Sequence, residues 1–134
     1  MAINSVEEVV ASMKQAAGLY HRLVLLVASS GSGKTAVLQE VVNRTNSPRI
    51  NLNLELSRRL LELPSRQRVL RVRDLIDGII DEVAGESVLL DNIELLFDRT
   101  LQQDPLRLLQ SISRNRTLVA AWNGTLEGGQ LIYA

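Results

Sequence analysis

The sequence predicts an α/β fold in which helices cover both faces of a mainly parallel sheet. The run Leu23–Val27 is apolar without a break, which is typical of a strand buried on both faces. Strand-like and helix-like patterns then alternate up to Trp122, as expected for parallel strands joined by helical crossovers. A length of 134 residues suits one domain, so we expect residues 1–134 to share a single core.

The composition argues against several other classes of protein. The sequence lacks cysteine, which excludes disulfides and thiolate metal sites and leaves oxygen ligands or His21 for any metal. No apolar run approaches the ~20 residues that span a bilayer, and Met1–Lys14 carries glutamates where a signal peptide needs basic residues. We therefore expect a cytoplasmic protein with no membrane association. A net charge of zero argues against binding nucleic acid through bulk positive charge, although a local basic patch stays open.

The N-terminal third predicts a helix, a strand and a second helix. The stretch Ser5–Glu8 has the spacing of a capping box, and apolar residues at helical intervals predict a helix over 5–17. The strand Leu23–Val27 ends at a loop rich in glycine and serine. Helical spacing returns over Thr35–Val42, and Asn46-Ser47-Pro48 breaks that helix.

The middle of the chain combines one alternating segment with two helical ones. Apolar and polar residues alternate over Arg49–Leu54, which predicts a second strand, exposed on one face at the sheet edge. Helical patterns follow at Leu56–Leu63 and Arg66–Val83. Pro64 lies between them and fits the first turn of a helix better than its interior. Gly85 then ends the second helical stretch.

Two more strands with a helix between them follow, and the chain then departs from this alternation. The strands are Ser87–Leu90 and Thr117–Trp122, and the helix is Pro105–Ile112. Too few residues precede the apolar run Leu131–Tyr133 for a crossover helix, so we expect a C-terminal β-hairpin that turns near Gly128-Gly129. Because the sequence stops on that apolar run, we expect the natural chain to continue past its last residue, Ala134.

A loop between the first predicted strand and the next helix carries the strongest functional pattern. Its residues are Ala28-Ser29-Ser30-Gly31-Ser32-Gly33-Lys34-Thr35, which match the Walker A motif at the last three specified positions. Small residues let backbone N–H groups turn inward around phosphate oxygens, and the following helix adds its positive end. The motif assigns Lys34 to the β- and γ-phosphates and the Thr35 hydroxyl to Mg²⁺. We therefore predict phosphate binding by residues 29–35.

One residue of this loop departs from the motif. Ala28 occupies the position of the first glycine, and alanine there costs about 1 to 2 kcal/mol if the position needs a positive φ. The alternative reading of the loop is a plain turn before a capped helix. That reading gives no reason for Gly33-Lys34-Thr35 after a buried strand.

A second motif lies further along the chain. Ser87–Leu90 followed by Asp91 resembles Walker B, in which an apolar strand delivers an aspartate to the carboxyl end of the sheet. Asp91 is accordingly our second candidate ligand for Mg²⁺, beside Thr35. The alternative is an acidic residue that only ends a strand.

The two motifs together resemble the additional-strand branch of P-loop ATPases. That resemblance implies a three-layer α/β sandwich and a glutamate directly after the Walker B aspartate, where this chain has Asn92. An amide cannot accept a proton from water, so Glu94 is our candidate catalytic base; the alternative is a solvated glutamate at a helix start. Asn123 resembles the residue that contacts the γ-phosphate in that branch, and its alternative is a turn asparagine before Gly124.

Charges of opposite sign form two blocks between the motifs. Six arginines lie at positions 58, 59, 66, 68, 71 and 73, and five acidic residues follow at positions 74, 77, 81, 82 and 86. One interpretation is self-association through region 58–86, with an arginine reaching a neighbouring subunit's γ-phosphate. The others are contact with a nucleic-acid backbone and a solvated helix surface with local ion pairs.

Over most of its length the chain resembles BrxF, the small P-loop protein of BREX bacterial phage-defence systems. The resemblance rests on Ser29–Thr35, on Val88–Glu94 and on the ending that begins at Ala121-Trp122-Asn123-Gly124. It implies an ATP- and Mg²⁺-binding component that acts with other BREX defence proteins in antiviral defence, and any contact with DNA would be indirect.

Three functions remain open from the sequence. The first is an ATPase or nucleotide switch within a larger assembly, centred on Lys34, Thr35 and Asp91. The second is an ATP-binding structural adaptor that hydrolyses little, which Asn92 makes reasonable. The third is a small P-loop kinase, against which the chain has no distinct acceptor-binding insert.

Overall fold

The computed structural model describes residues 6–29, 31–83 and 85–133, and within these ranges five strands form a mainly parallel sheet. The strands are β1 (Leu23–Ala28), β2 (Arg49–Asn51), β3 (Ser87–Asp91), β4 (Thr117–Glu127) and β5 (Gln130–Tyr133). The helices are α1 (Val6–Ala16), α2 (Lys34–Thr45), α3 (Leu52–Leu60), α4 (Ser65–Asp81) and α5 (Pro105–Ile112). Two short 3₁₀ helices, Glu94–Phe97 and Arg99–Leu101, connect β3 to α5. The α/β class predicted from the sequence is confirmed.

The strand order places β4 between β1 and β3. The order is β1-β4-β3-β2, with parallel pairing throughout, and β5 pairs antiparallel with the end of β4. In the register of β1 and β4, Ala28 lies opposite Asn123. In the register of β2 and β3, Asn51 lies opposite Asp91. The carboxyl ends of β1, β3 and β4 therefore meet at one edge of the sheet.

Helices cover both faces of this sheet because side chains of a buried strand alternate between the faces. On one face, Val9 of α1 and Leu38 of α2 pack with Leu26 and Leu89. On the other face, helices α3, α4 and α5 pack over Leu90 and its neighbours. In the described part of the chain, no helix is both long and apolar enough to cross a membrane.

The prediction of a strand over Arg49–Leu54 is wrong beyond Asn51. Helix α3 begins at Leu52, and the Asn51 side chain caps it by accepting a hydrogen bond from the backbone N–H of Leu54 at 3.1 Å. Leu52, Leu56 and Leu60, spaced four residues apart, are buried, whereas Leu54 is 45% exposed. The alternation of Leu52 and Leu54 matched a strand by chance, because the helical repeat of leucines continues past it. The edge position predicted for β2 is confirmed.

The other predicted elements differ from the structure mainly at their ends. The helices at 5–17 and Thr35–Val42 correspond to α1 and α2, although Ser5 lies outside the described residues. Pro64 directly precedes α4 rather than lying in its first turn, and its carbonyl accepts the N–H of Gln67 at 2.9 Å. The C-terminal hairpin is confirmed, and β4 continues into it as far as Glu127.

Candidate functional site

A cleft of about 320 Å³ opens at the carboxyl ends of β1, β3 and β4. Residues of both predicted motifs line it: Gly31, Gly33, Lys34, Thr35, Asp91 and Asn92. Glu94 and Asn123 line the same cleft, so the residues predicted for catalysis lie together. Open α/β sheets bind their ligands at this kind of edge.

The loop from Ser29 to Gly33 turns by means of two glycines in left-handed conformations. Gly31 has a φ of 79° and Gly33 a φ of 91°, a region that other residues enter at a cost of about 1 to 2 kcal/mol. The backbone N–H of Ser32 donates to the carbonyl of Ser29 at 3.2 Å, which closes the turn. Helix α2 then begins at Lys34, so its positive N-terminal end faces the cleft.

Ala28 fits its position in this loop without strain. It is the last residue of β1 and is 4% exposed. Among the described residues other than glycine, a positive φ occurs only at Asn46, Asn92 and Gln102. The cost that alanine would have at a left-handed position therefore does not apply.

Two serines of the predicted phosphate loop take part in it through their backbone groups. Ser29 and Ser32 are exposed on the loop, while their backbone groups form its turn. Ser30 lies outside the described residues. The cleft wall nearest the loop is therefore made by Gly31, Gly33 and the start of α2.

Lys34 is buried and held against the beginning of the loop. Only 9% of the residue is exposed, and its Nζ donates to the carbonyl oxygens of Ala28 at 3.2 Å and Ser29 at 2.8 Å. Burial lowers the pKa of Lys34 below the usual lysine value, and the carboxylates of Asp91 and Glu94 raise it in part. A lysine in this position is a compact positive charge at the cleft wall.

Asp91 is held by a hydrogen bond to each of its carboxylate oxygens. The Thr35 hydroxyl donates to Oδ2 at 2.9 Å, and the backbone N–H of Asn92 donates to Oδ1 at 2.9 Å. The Asp91 residue is 8% exposed. These bonds fix a carboxylate and a hydroxyl side by side in the cleft.

The chemistry of this pair fits Mg²⁺. Mg²⁺ prefers oxygen ligands, keeps several waters and is usually bound through one or two carboxylates together with substrate phosphates. Within the residues that the structure covers, no group of three or more His, Asp or Glu side chains forms a metal cage. A cation here would be held by Thr35 and Asp91 and by oxygens of other molecules.

The segment after Asp91 returns the chain to the cleft. Asn92 has a φ of 53°, and Glu94 begins the 3₁₀ helix Glu94–Phe97. Glu94 is half-buried. Asn123 is also half-buried and lies on β4 beside Ala28, so it faces the start of the loop. Asn123 lies within β4 and not in a turn, whereas the place of Glu94 at a helix start is compatible with either reading of that residue.

Aromatic side chains attach the C-terminal hairpin next to Glu94. Phe97 stacks on Tyr133 with ring centroids 3.6 Å apart and meets the edge of Trp122 at 5.0 Å. The indole N–H of Trp122 donates to the carbonyl of Ile132 at 3.2 Å. Burial raises the pKa of Tyr133, and the charge of Glu94 raises it further. The hairpin therefore packs against the 3₁₀ helix that begins at Glu94.

Some charged residues of region 58–86 form salt bridges and hydrogen bonds within the chain. Arg59 forms salt bridges with Glu55 at 3.1 Å and Glu82 at 2.8 Å, and Arg68 Nε donates to backbone carbonyls that join α3 to α4. Arg66 and Arg71 are exposed and make no ion pair in the described ranges. Arg66 and Arg71 are therefore available for contacts with another molecule.

Asn53 is a site residue that the sequence analysis missed. The predicted strand placed it on an exposed face, but its side chain accepts a hydrogen bond from the backbone N–H of Leu95 at 2.8 Å. Its own N–H donates to the carbonyl of Asn92 at 2.8 Å. Correct assignment of α3 from the spacing of Leu52, Leu56 and Leu60 would have placed Asn53 in the first helical turn.

Comparison with known proteins gives similarity in structure and none in sequence family. No family model matches the chain, and no curated protein matches it. Among solved structures, the chain is similar to C. elegans PCH-2, with a TM-score of 0.49 and 21% sequence identity. The similarity covers 96% of this chain and 41% of PCH-2, so the chain spans less than half of that protein.

Proposed function

We propose that this chain is a P-loop protein of the additional-strand type that binds ATP together with Mg²⁺. One observation carries the proposal: the buried Lys34 and the Thr35–Asp91 pair line a single cleft at the ends of β1 and β3. The position of β4 between these two strands supports the additional-strand assignment. A plain turn or a strand-ending aspartate would not require these three side chains to converge.

Each residue in the cleft has a separate role in this proposal. Backbone N–H groups of residues 29–35 surround the phosphates, and Lys34 neutralises charge on the β- and γ-phosphates. Thr35 and Asp91 hold Mg²⁺, which when bound supplies positive charge next to the phosphates. ATP is chosen over GTP because the sequence has no Asn-Lys-x-Asp guanine motif.

For hydrolysis, we assign the role of general base to Glu94. Asn92 occupies the position that is usually a glutamate, and an amide cannot accept a proton from water. Glu94 has a carboxylate and lines the same cleft as Lys34 and Asp91. Asn123, which also lines the cleft, is assigned to the terminal phosphate, to which its amide can donate a hydrogen bond.

A second candidate is an ATP-binding adaptor that hydrolyses little. The specific observation in its favour is Asn92, whose left-handed backbone turns at the position of the usual catalytic glutamate. In this alternative Glu94 only raises the pKa of Lys34, and it takes no proton from water. Both candidates require the same nucleotide site, and they differ only in turnover.

For the cellular role, we propose an ATP-dependent component of a BREX bacterial anti-phage system. The proposal rests on the resemblance to BrxF and includes a cytoplasmic location, other BREX proteins as partners and indirect contact with DNA. Self-association through region 58–86 would use the exposed Arg66 and Arg71. An Arg66→Glu, Arg71→Glu variant that sediments like the wild type, where the wild type self-associates, would rule out that contact.

Calorimetry of ATP binding with and without Mg²⁺, combined with phosphate release, tests the nucleotide function. We expect Mg²⁺-dependent binding by the wild type and its loss in Lys34→Ala. Lys14→Ala is the matched control, because Lys14 is the other lysine of the sequence and is exposed in the last turn of α1. Binding with turnover favours the ATPase, and binding without turnover favours the adaptor. Unchanged binding by Lys34→Ala would refute the site.

A further inference from the structure

The segment from Asp91 to Leu95 forms two hydrogen bonds with a single residue outside it, one as acceptor and one as donor. The backbone N–H of Asn53 donates to the carbonyl of Asn92 at 2.8 Å. The side-chain Oδ1 of Asn53 accepts from the backbone N–H of Leu95 at 2.8 Å. Asn53 therefore holds the segment on both sides of Glu94.

Ile93 and Leu96 anchor this segment in the core, but its first backbone N–H groups need partners outside the short helix. The 3₁₀ helix Glu94–Phe97 has four residues, and the first N–H groups of a helix have no partner inside it. The Asn53 side chain supplies a partner for Leu95, the residue directly after Glu94. Fixing the amide of Leu95 fixes the backbone from which the Glu94 side chain projects.

Asn53 is itself attached to a rigid part of the molecule. It lies in the first turn of α3, beside Leu52, which is fully buried in the core. Asn51 caps the same turn, so the start of α3 is fixed from two sides. The buried start of α3 therefore fixes the position of Asn53, and Asn53 in turn fixes the backbone next to Glu94.

We propose that Asn53 is a positioning residue that sets where Glu94 lies in the nucleotide cleft. The inference rests on the proposed function, because it assumes that Glu94 acts as the general base. Asn53 touches neither nucleotide nor water in this proposal and acts through Glu94. General-base catalysis requires the base within hydrogen-bond reach of the proton it accepts, so a small displacement of Glu94 slows turnover.

Two substitutions at position 53 separate this role from general destabilisation. Asn53→Ala removes the acceptor for the Leu95 N–H and leaves the backbone bond to Asn92. Asn53→Asp keeps an acceptor oxygen in the same place. Asp104→Ala is the matched control, because Asp104 also accepts a backbone N–H at a helix start, that of Arg107 at 3.2 Å, outside the cleft lining.

The measurements are phosphate release, ATP affinity by calorimetry, and amide hydrogen exchange over residues 92–97 without nucleotide. We expect Asn53→Ala to lower turnover by about tenfold to a hundredfold with ATP affinity unchanged. We expect its 92–97 segment to exchange faster than in the wild type. Asn53→Asp should regain most of the turnover and the protection, and Asp104→Ala should resemble the wild type in all three measurements.

A double variant with Glu94→Gln tests whether Asn53 acts through Glu94. If it does, Asn53→Ala lowers turnover no further once Glu94 is replaced. Losses that multiply in the double variant, or normal turnover in Asn53→Ala, would overturn the proposal and leave the ATPase assignment intact. Wild-type protein that binds ATP without turnover would also overturn it, while nucleotide binding would stand. Absence of ATP binding would overturn both.

Discussion

The hydroxyl of Thr35 donates a hydrogen bond of 2.9 Å to Oδ2 of Asp91, across a sequence separation of 56 residues. This bond joins the first turn of α2 to the end of β3. The two oxygen atoms are those we assign to Mg²⁺. The chain alone therefore brings the proposed cation ligands into contact with each other.

Replacement of Thr35 should uncouple ATP binding from Mg²⁺. Thr35→Val keeps the shape of the side chain and removes the hydroxyl, whereas Thr35→Ser keeps it. We expect the gain in ATP affinity on adding Mg²⁺ to fall by about tenfold in Thr35→Val, which corresponds to about 1.4 kcal/mol. Thr35→Ser should stay close to the wild type in calorimetry. An unchanged Mg²⁺ dependence in Thr35→Val would remove Thr35 from the metal site.

Glu94→Gln should reduce turnover while ATP still binds. The amide keeps the size and hydrogen-bonding capacity of the side chain but cannot accept a proton from water. A positioned general base contributes about 10²- to 10⁴-fold, so we expect a loss of that order in phosphate release. Glu62→Gln is the control, since it makes the same change at an exposed glutamate outside the cleft lining. Equal turnover in wild type and Glu94→Gln would exclude Glu94 as the base.

The lowered pKa of Lys34 predicts two pH effects of opposite sign. As pH rises through that pKa, Lys34 loses its charge, so ATP affinity should fall at a lower pH than for an ordinary lysine. Between the lowered pKa and the usual lysine value, the unfolded chain binds more protons than the folded one. Stability of the free protein therefore rises with pH across that window.

Calorimetry of ATP binding and denaturant unfolding over a pH series measure these two effects. Lys34→Ala should remove the rise in stability. Glu94→Gln should move the fall in affinity to still lower pH, because the Glu94 charge raises the pKa of Lys34. A fall in affinity at the same pH in wild type and Glu94→Gln would mean that the two side chains do not interact in solution.

Site residues could be predicted from the sequence where a motif restricts which residue serves a given chemical role. They could not be predicted where a role depends on contacts between segments that are distant in the sequence. Gly33-Lys34-Thr35 and Asp91 could be recognised because backbone geometry and charge restrict which residues serve there. The roles of Asn53 and of the hairpin could not, since both depend on tertiary contacts. Leu95, which Asn53 contacts, lies 42 residues away in sequence. Short apolar patterns can also be assigned wrongly, because the alternation of Leu52 and Leu54 fits a strand while the spacing of Leu52 and Leu56 fits a helix.

The start of α3 offers a direct test of that ambiguity. In a strand, Leu52 and Leu54 would face the same side and would tolerate truncation equally. In the helix, Leu52 is fully buried and Leu54 is 45% exposed. Leu52→Ala should therefore lower the free energy of unfolding by about 2 to 5 kcal/mol, and Leu54→Ala by about 0.5 kcal/mol or less. Equal losses of unfolding free energy in the two variants would mean that residues 52–54 form a strand.

The C-terminal hairpin should depend on the absence of a side chain at Gly124. A Cβ atom at this position would overlap the carbonyl oxygen of Ile132, the same group that accepts the Trp122 indole N–H. We expect Gly124→Ala to lower the free energy of unfolding by about 1 to 3 kcal/mol through this overlap. Trp122 is the sole tryptophan of the sequence, so its fluorescence reports on the hairpin specifically.

Gly78→Ala provides the matched control for this prediction. Gly78 lies within α4, and a Cβ atom there would meet nothing within 4 Å. Alanine in a helix is favoured over glycine by about 0.5 to 1 kcal/mol, so Gly78→Ala should raise the unfolding temperature and leave the Trp122 spectrum unchanged. If Gly124→Ala instead unfolded at the wild-type temperature with a wild-type spectrum, the hairpin would not be closed onto Trp122 in solution. The contact between Tyr133 and Phe97 of the 3₁₀ helix would then be lost.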